Sequence, residues 1–245
     1  MTDRATHVLD AGALHATPRD LLDDIFGWDV ITFAPTLEHW QRYATVDLTR
    51  STALEVGAGQ SGGLSLWLAL QGCDVVCSTL GEIHPRVRAL HRRYGVGHRV
   101  RYADIDVLKL DERESFDVIA FKSMLGGIGA NGHPERQREA IGRLHAALKP
   151  GGNLLFAENV AGTRIHTAVR GRFGAGKDGW RYPTTREMSR LLKPFASMQG
   201  RTAGFLGTWG SSDLQRRASG GVDAFLCRWL VPASWQYAMM GVAIR

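Results

Sequence analysis

The segment 53–63, with the sequence ALEVGAGQSGG, constrains the fold of this chain more than any other. An apolar run ends at Glu55-Val56, breaks into a glycine-rich loop, and resumes as the apolar segment 64–70. This order predicts a strand, a tight loop and a buried helix. Glycines let the backbone approach a ligand closely, and a helix N-terminus presents unpaired N–H groups. The segment therefore predicts the start of a nucleotide-binding α/β unit.

Further apolar runs follow the glycine loop at the spacing of alternating strands and helices. Strands are predicted at 74–78, 100–103, 116–122, 153–159, 197–202 and 235–244. Helices are predicted at 62–70, 85–94, 184–192 and from Pro134 to just before Pro150. Such alternation is typical of a parallel sheet that is covered by helices on both faces. The predicted fold class is α/β, with a Rossmann-like, doubly wound sheet.

As an ensemble, four of these features resemble class I S-adenosylmethionine-dependent methyltransferases over roughly residues 50 to 160. They are the glycine loop, the acidic turn DIDVL at 104–108, the strand FDVIAFK at 116–122 and the turn KPGG at 149–152. The resemblance implies S-adenosylmethionine as the cofactor. It also implies a seven-stranded, mostly parallel sheet with one antiparallel strand near the C-terminus. A helical extension over residues 1–50 would then cover the cofactor of a methyltransferase domain at 51–245.

The same resemblance assigns the cofactor site residue by residue. The methionine part would lie against the loop, and Glu55 would accept a hydrogen bond from the amino group of the cofactor. Asp106 would accept from the adenine amino group, with Asp104 as the alternative carboxylate. The expected cofactor contacts are Glu55, Gly57, Gly59, Ser61, Gly62, Thr79, Leu80, Asp106, Val107 and Lys122.

Two of these positions depart from the pattern of the family. Ser61 stands where the family usually has the third glycine of the loop, and Gly62 follows one residue later. Thr79 stands at the end of the second strand, where the family has a carboxylate that holds both ribose hydroxyls. Glu82 is the nearest acid that could reach back. How the ribose is held therefore stays open.

Several aromatic and glycine-containing segments resemble methyltransferases that are associated with bacterial polysaccharide assembly. These segments are WDV at 28–30, FKSMLGGIG at 121–129, FAEN at 156–159, WRY at 180–182 and GFLGTWG at 204–210. This second resemblance implies O-methylation of a hydroxyl on a sugar or glycan. Trp180 and Tyr182 would offer stacking faces to a sugar, and Arg181 a contact for an anion. The glycines at 126–132 favour a flexible loop that closes over a ligand.

Methylation of a hydroxyl benefits from a general base, which should lie where a strand ends at the carboxyl edge of the sheet. Four residues qualify. Lys122 and Glu158 end the fourth and fifth strands, while His133 and His166 follow them in the chain. Histidine titrates near neutral pH, a carboxylate can act when ionised, and Lys122 could equally hold the cofactor or an anionic substrate. The sequence leaves the choice among the four open, and no cluster of side chains indicates a metal.

Composition limits the partners and the compartment. Three cysteines are too few for a disulfide framework, and the N-terminus shows no apolar signal-peptide core, so we expect a cytoplasmic protein without a transmembrane segment. The net charge is +6, and residues 161–245 hold 13 Lys or Arg against 4 Asp or Glu. A basic half favours an anionic small molecule or glycan. No nucleic-acid-binding module accompanies it, which makes nucleic acid an unfavoured substrate, and the oligomeric state stays open.

Other functions remain compatible with the sequence. The spacing Gly57-x-Gly59-x-x-Gly62 also satisfies the dinucleotide pattern, so an NAD(P)-dependent oxidoreductase is an alternative. Against it, Thr79 stands at the end of the second strand where a dinucleotide fold also has an acid, and no Tyr-x-x-x-Lys pair follows the fourth strand. A methyltransferase that acts on O or N of another small metabolite is a second alternative. A cofactor-binding protein without catalysis is a third, for which Ser61 and Thr79 are the hints.

Overall fold

The computed structural model describes residues 18–173, 175–206, 223, 226, 227 and 229–245. Within these residues the chain forms a seven-stranded sheet with the strand order β3-β2-β1-β4-β5-β7-β6. Strand β7 is antiparallel to both of its neighbours, whereas β1 to β5 pair in parallel. The strands are β1 Thr52–Val56, β2 Asp74–Thr79, β3 Val100–Asp104, β4 Phe116–Lys122, β5 Leu148–Asn159, β6 Ser197–Ala203 and β7 Ala238–Ile244. The predicted fold class and the single antiparallel strand are confirmed.

Helices cover both faces of the sheet. One core joins α1, α3, α4 and α5 to one face, and a second core joins α7 and α9 to the other. Alternate residues of β1 divide between them, because Ala53 belongs to the first core and Leu54 to the second. The helices are α1 Arg19–Phe26, α2 Val30–Phe33, α3 Pro35–Tyr43, α4 Gly63–Leu70, α5 Pro85–Arg93, α6 Leu125–Ile128, α7 Pro134–Ala147, α8 Arg164–Phe173 and α9 Thr185–Leu191.

The described part of the N-terminal extension packs into the same core as the sheet. Trp40 is fully buried, and its indole N–H donates to the carbonyl of Gly241 on β7 at 3.0 Å. The Tyr237 hydroxyl donates to Asp29 at 2.9 Å and lies 2.8 Å from the Thr32 hydroxyl. Buried aromatic side chains contribute about 1.5–3 kcal/mol each, so this packing fixes α1 to α3 on the sheet.

Two local expectations differ from the structure. The turn KPGG lies inside β5, where the pairing with β4 is irregular between Phe116 and Val118. The glycine-rich segment 124–132 contains the short helix α6 and a 3₁₀ turn, with Leu125 and Gly126 buried, so its prediction as a flexible loop was wrong. The glycines allow close packing there. Of the other predicted features, residues 1–17 of the helical extension and 207–210 of GFLGTWG lie outside the described residues.

Candidate functional site

The loop between β1 and α4 has the backbone conformation that its glycines permit. Gly57, Gly59 and Gly62 have φ angles of +74°, +56° and +60°, a region that residues with a side chain rarely adopt. Gly57 and Gly59 face a cavity at the carboxyl edge of the sheet. Gly62 has a different role, because a Cβ there would lie 2.4 Å from Val87 of α5. It allows α5 to pack against the start of α4.

The cavity beside this loop has a volume of about 770 Å³. This volume suits a small-molecule ligand. Its floor is the glycine loop together with the ends of β1 and β4, and its walls are α1 and α5. The lining includes the rings of Phe26, Trp28 and Trp180, the charged residues Asp23, Asp24, Arg86, Arg93 and Lys122, and the loop residues Gly57, Gly59, Gln60 and Ser61.

Glu55 is buried at the base of the cavity, but its carboxylate is already engaged. The backbone N–H of Ser65 donates to Glu55 Oε2 at 2.8 Å, and the Cys77 thiol lies 3.8 Å from the same oxygen. Burial raises the pKa of this carboxyl group, while the hydrogen bonds from the first turn of α4 oppose the rise. The structure thus uses Oε2 of Glu55 to fix the start of α4 behind the loop, and the expected contact with a cofactor amino group stays a prediction.

A clasp between α1 and the end of α5, formed by Asp24, Arg93 and Tyr94, was not found from the sequence. The Tyr94 hydroxyl donates to Asp24 Oδ2 at 2.6 Å, and the Arg93 guanidinium pairs with the same oxygen. The partners are 69 and 70 residues apart in the chain, so no local pattern signals their contact. The clasp holds the wall of the cavity that belongs to the extension.

We expect the variant Asp24→Asn to bind S-adenosylhomocysteine severalfold more weakly than the wild type, because the wall formed by α1 loses its charged anchor. Calorimetric titration at low and high salt measures this, and the wild type should show the larger salt dependence. Asp74→Asn is the matched control. It removes the exposed ion pair between Asp74 and Arg99, which lies at the start of β2. An equal loss in both variants would contradict the role of the clasp.

Lys122 ends β4 and points its amine into an aromatic corner of the cavity. The Nζ atom lies 3.5 Å from the ring centroid of Trp28 and 4.6 Å from that of Phe33. It also lies 3.5 Å from the carbonyl oxygen of Trp28. Burial lowers the pKa of Lys122 to about 7, although Asp29 and Glu158 favour the charged amine. A lysine with this pKa can be neutral near physiological pH and can accept a proton.

Ser123 and Glu158 shape the turn that follows Lys122. Ser123 has a φ of +53°, a conformation that costs about 1–2 kcal/mol for a residue with a side chain. This turn directs the N–H groups of Met124 and Leu125 to Glu158 Oε2 at 2.9 and 2.8 Å. The N–H of Asn159 donates to Oε1 at 3.0 Å. Burial raises the pKa of Glu158 to about 7, and its oxygens hold the start of α6, so the carboxylate is placed as a positioning group.

The two histidines proposed as bases lie away from the described lining of the cavity. His166 belongs to α8 and is buried; Thr163 N–H donates to Nδ1 at 3.0 Å, and Nε2 lies 2.8 Å from the carbonyl of Phe205. Both ring nitrogens therefore have structural partners. His133 precedes α7 and lies 2.7 Å from an oxygen of Glu135, with 43% of its side chain exposed. The geometry supports neither as the base.

The residues expected around the ribose and the adenine lie at the ends of β2 and β3. The N–H of Ile105 donates to the Thr79 carbonyl at 3.0 Å, which joins the two strand ends. Asp104 accepts from Gly81 N–H at 2.7 Å, and Asp106 accepts from Leu108 N–H at 3.0 Å. Neither carboxylate is among the described residues that line the cavity, nor are Thr79, Leu80 and Val107. Asp104 and Asp106 thus accept hydrogen bonds within turns, and the expected contacts with the ribose and the adenine stay predictions.

The cavity fits the methionine end of the expected cofactor. Glycine loops whose backbone faces a cavity, as at Gly57 and Gly59, admit a ligand against the main chain. A Cβ on Gly57 would make ordinary contact with Met124 Cγ at 3.5 Å, so the φ of +74° rather than a lack of space requires glycine there. Among the described residues, no three His, Cys, Asp or Glu side chains are grouped so that they could hold a metal ion.

Residues 54–156 match the model of the methyltransferase domain family. The match runs from β1 through the glycine loop to the interior of β5, which is less than half of the 245 residues. This part of the chain is similar to methyltransferase domains, and S-adenosylmethionine is the cofactor that the match indicates. No curated protein matches the chain significantly. In the described part of the chain, no helix combines the length and the apolar character that crossing a membrane requires.

Solved structures share the fold at low sequence identity. The 1,6-didemethyltoxoflavin-N1-methyltransferase of Burkholderia thailandensis, solved with S-adenosylhomocysteine, is 18% identical with a TM-score of 0.53, covering 96% of this chain and 84% of its own. An S-adenosylmethionine-dependent methyltransferase from Mesorhizobium loti is 18% identical with a TM-score of 0.57, covering 87% and 97%. The [4+2]-cyclase SpnF is 20% identical with a TM-score of 0.56, covering 86% and 80%. At these identities the likeness concerns the fold.

Proposed function

We propose that this protein uses S-adenosylmethionine to methylate a hydroxyl group of a small molecule, with a sugar or glycan as the leading acceptor. The observation that carries the proposal is the amine of Lys122, which lies at the end of β4 on the same cavity as Gly57 and Gly59. The bound cofactor supplies a methyl group that is already activated on a positively charged sulfur. The chain must then align the acceptor, exclude water and remove one proton from the hydroxyl.

In this mechanism Lys122 is the general base. Its neutral amine accepts the hydroxyl proton, and the product ammonium is stabilised by the rings of Trp28 and Phe33 and by the charges of Asp29 and Glu158. Glu158 orients the turn after Lys122 by binding the N–H groups of Met124 and Leu125. The choice of a sugar or glycan acceptor is supported by the second resemblance of the sequence, and the basic charge of residues 161–245 favours an anionic one.

We expect purified protein to bind S-adenosylhomocysteine in a calorimetric titration and to leave NAD and NADP unbound. The glycine loop offers its backbone to the ligand, and the match of residues 54–156 to a methyltransferase domain favours S-adenosylhomocysteine. The missing carboxylate at Thr79 affects the ribose contact of both kinds of ligand and does not separate them. Transfer of a labelled methyl group from S-adenosylmethionine is then measured with methyl pyranosides, phenols and primary amines. Binding of a nicotinamide nucleotide, or transfer to amines alone, would contradict the proposal.

A further inference from the structure

Trp180 lies flat on the backbone of α6. A Cβ built on Gly126 would lie 2.8 Å from Cε3 of the indole, and one built on Gly127 would lie 3.4 Å from both Cε2 and Cζ2. These atoms lie on opposite sides of the same six-membered ring, so the two glycines pack against the face of the ring. Glycine at both positions is what allows an indole to lie against this helix.

The segment that carries Trp180 is fixed on both sides. The N–H of Arg181 donates to the carbonyl of Gly126 at 3.0 Å, and the Arg181 guanidinium donates to Gln137 Oε1 at 2.6 Å and pairs with Glu187. Gln137 in turn donates to the carbonyls of Leu125 and Arg181 at 2.8 and 3.0 Å. Arg181 thus holds the segment, and its expected role as an anion contact stays a prediction.

The indole of Trp180 also lines the cavity that contains the glycine loop, Lys122 and Ser123. We propose that Trp180 is the stacking platform for the acceptor, and that the acceptor therefore carries its hydroxyl on a ring with a flat apolar face, as a pyranose or a phenol does. This inference rests on the proposed function and adds the shape of the substrate to it. A pre-organised aromatic face binds a ring with little loss of conformational freedom.

The aromatic faces beside Lys122 are closed to one class of ring. The Lys122 amine already occupies the faces of Trp28 and Phe33, where a cationic acceptor would otherwise bind. We therefore expect neutral or anionic rings to bind in preference to quaternary or protonated amines.

Saturation-transfer NMR on the protein with bound S-adenosylhomocysteine tests the platform without requiring turnover. The probes are methyl glucopyranoside, catechol and, as an acyclic polyol, glycerol. We expect saturation of ring-face protons from at least one ring probe and none from glycerol. The signal should fall at least fivefold in Trp180→Ala and return in Trp180→Phe, which restores an aromatic face. The saturation of methyl glucopyranoside compared with that of catechol decides which kind of ring the protein prefers.

Trp235→Ala is the matched control, because Trp235 is 51% exposed, stacks on Phe205 and lies outside the described lining of the cavity. It should leave the ring signal unchanged. Equal saturation in Trp180→Ala and wild type, or no saturation of either ring probe in the wild type, would overturn the inference. Different results would contradict the proposed function. They are a wild type that does not bind S-adenosylhomocysteine, or methyl transfer to amines alone.

Discussion

Replacing Lys122 with Met is expected to lower kcat by about 10²–10⁴-fold, the usual contribution of a general base. Methionine fills the space beside Trp28 and Phe33 with a flexible apolar chain, so the fold is expected to persist. Affinity for S-adenosylhomocysteine should change little, since the glycine loop is untouched. Methyl transfer to the best hydroxyl acceptor, measured together with calorimetric binding, checks both parts.

The variant Lys122→Arg distinguishes between two roles of Lys122, that of a general base and that of a positive charge. Arginine keeps the charge, but its pKa is too high for it to accept a proton near neutral pH, so this variant should be as inactive as Lys122→Met. Wild-type kcat/KM should rise with pH through the Lys122 pKa of about 7, because the neutral amine is the form that accepts the proton. In both variants this rise should disappear. An active Lys122→Arg enzyme would instead identify Lys122 as a contact for an anionic acceptor.

Most of the sheet could be predicted from the sequence because β1, β2, β4, β5 and β7 are largely buried on both faces and read as apolar runs, whereas β3 and β6 are partly exposed. The predicted range 116–122 coincides with β4, and the remaining strands differ at their ends by a few residues. The KPGG turn was correctly placed before the buried part of β5, but β5 begins earlier, because Leu148 pairs with Phe116 of β4 and Gly151 and Gly152 hydrogen-bond to Arg245 after β7. Local patterns indicate which residues are extended and give little information on where pairing stops.

The site was predicted less completely because its decisive contacts join distant parts of the chain. His166 and Glu158 both follow from strand-end reasoning, yet their roles depend on partners 33 to 39 residues away, Leu125, Met124 and Phe205. The contact that favours Lys122 as the base joins its amine to Trp28, which lies 94 residues earlier in the chain. No local pattern in the sequence indicates this contact. Chemistry-bearing residues can be nominated from sequence, but burial and occupied hydrogen bonds decide among them.

Gly63→Ala is expected to have the largest effect on the wall of the cavity. A Cβ on Gly63 would lie 2.0 Å from the carbonyl oxygen of Ile25 and 2.6 Å from that of Asp24, so α1 must move. The obstructing atoms are backbone, and no change of rotamer relieves the clash. Overpacking of this kind costs about 1–3 kcal/mol. If the strain is relieved by displacement of α1, a wall of the cavity moves with it. The affinity for S-adenosylhomocysteine should then fall roughly tenfold or more, since about 1.4 kcal/mol corresponds to a factor of ten.

The matched control is Gly142→Ala on the exposed side of α7, where an added Cβ meets nothing within 4 Å. Gly142 lies in the interior of α7, where alanine gains about 0.8–1.0 kcal/mol in helix propensity, whereas Gly63 is the first residue of α4 and gains less. Gly142→Ala should therefore melt at or above the wild-type temperature and bind S-adenosylhomocysteine normally. Gly63→Ala should melt lower while keeping its far-ultraviolet circular dichroism. Wild-type melting and binding in Gly63→Ala would show that the contact of α1 with α4 is not needed to form the site.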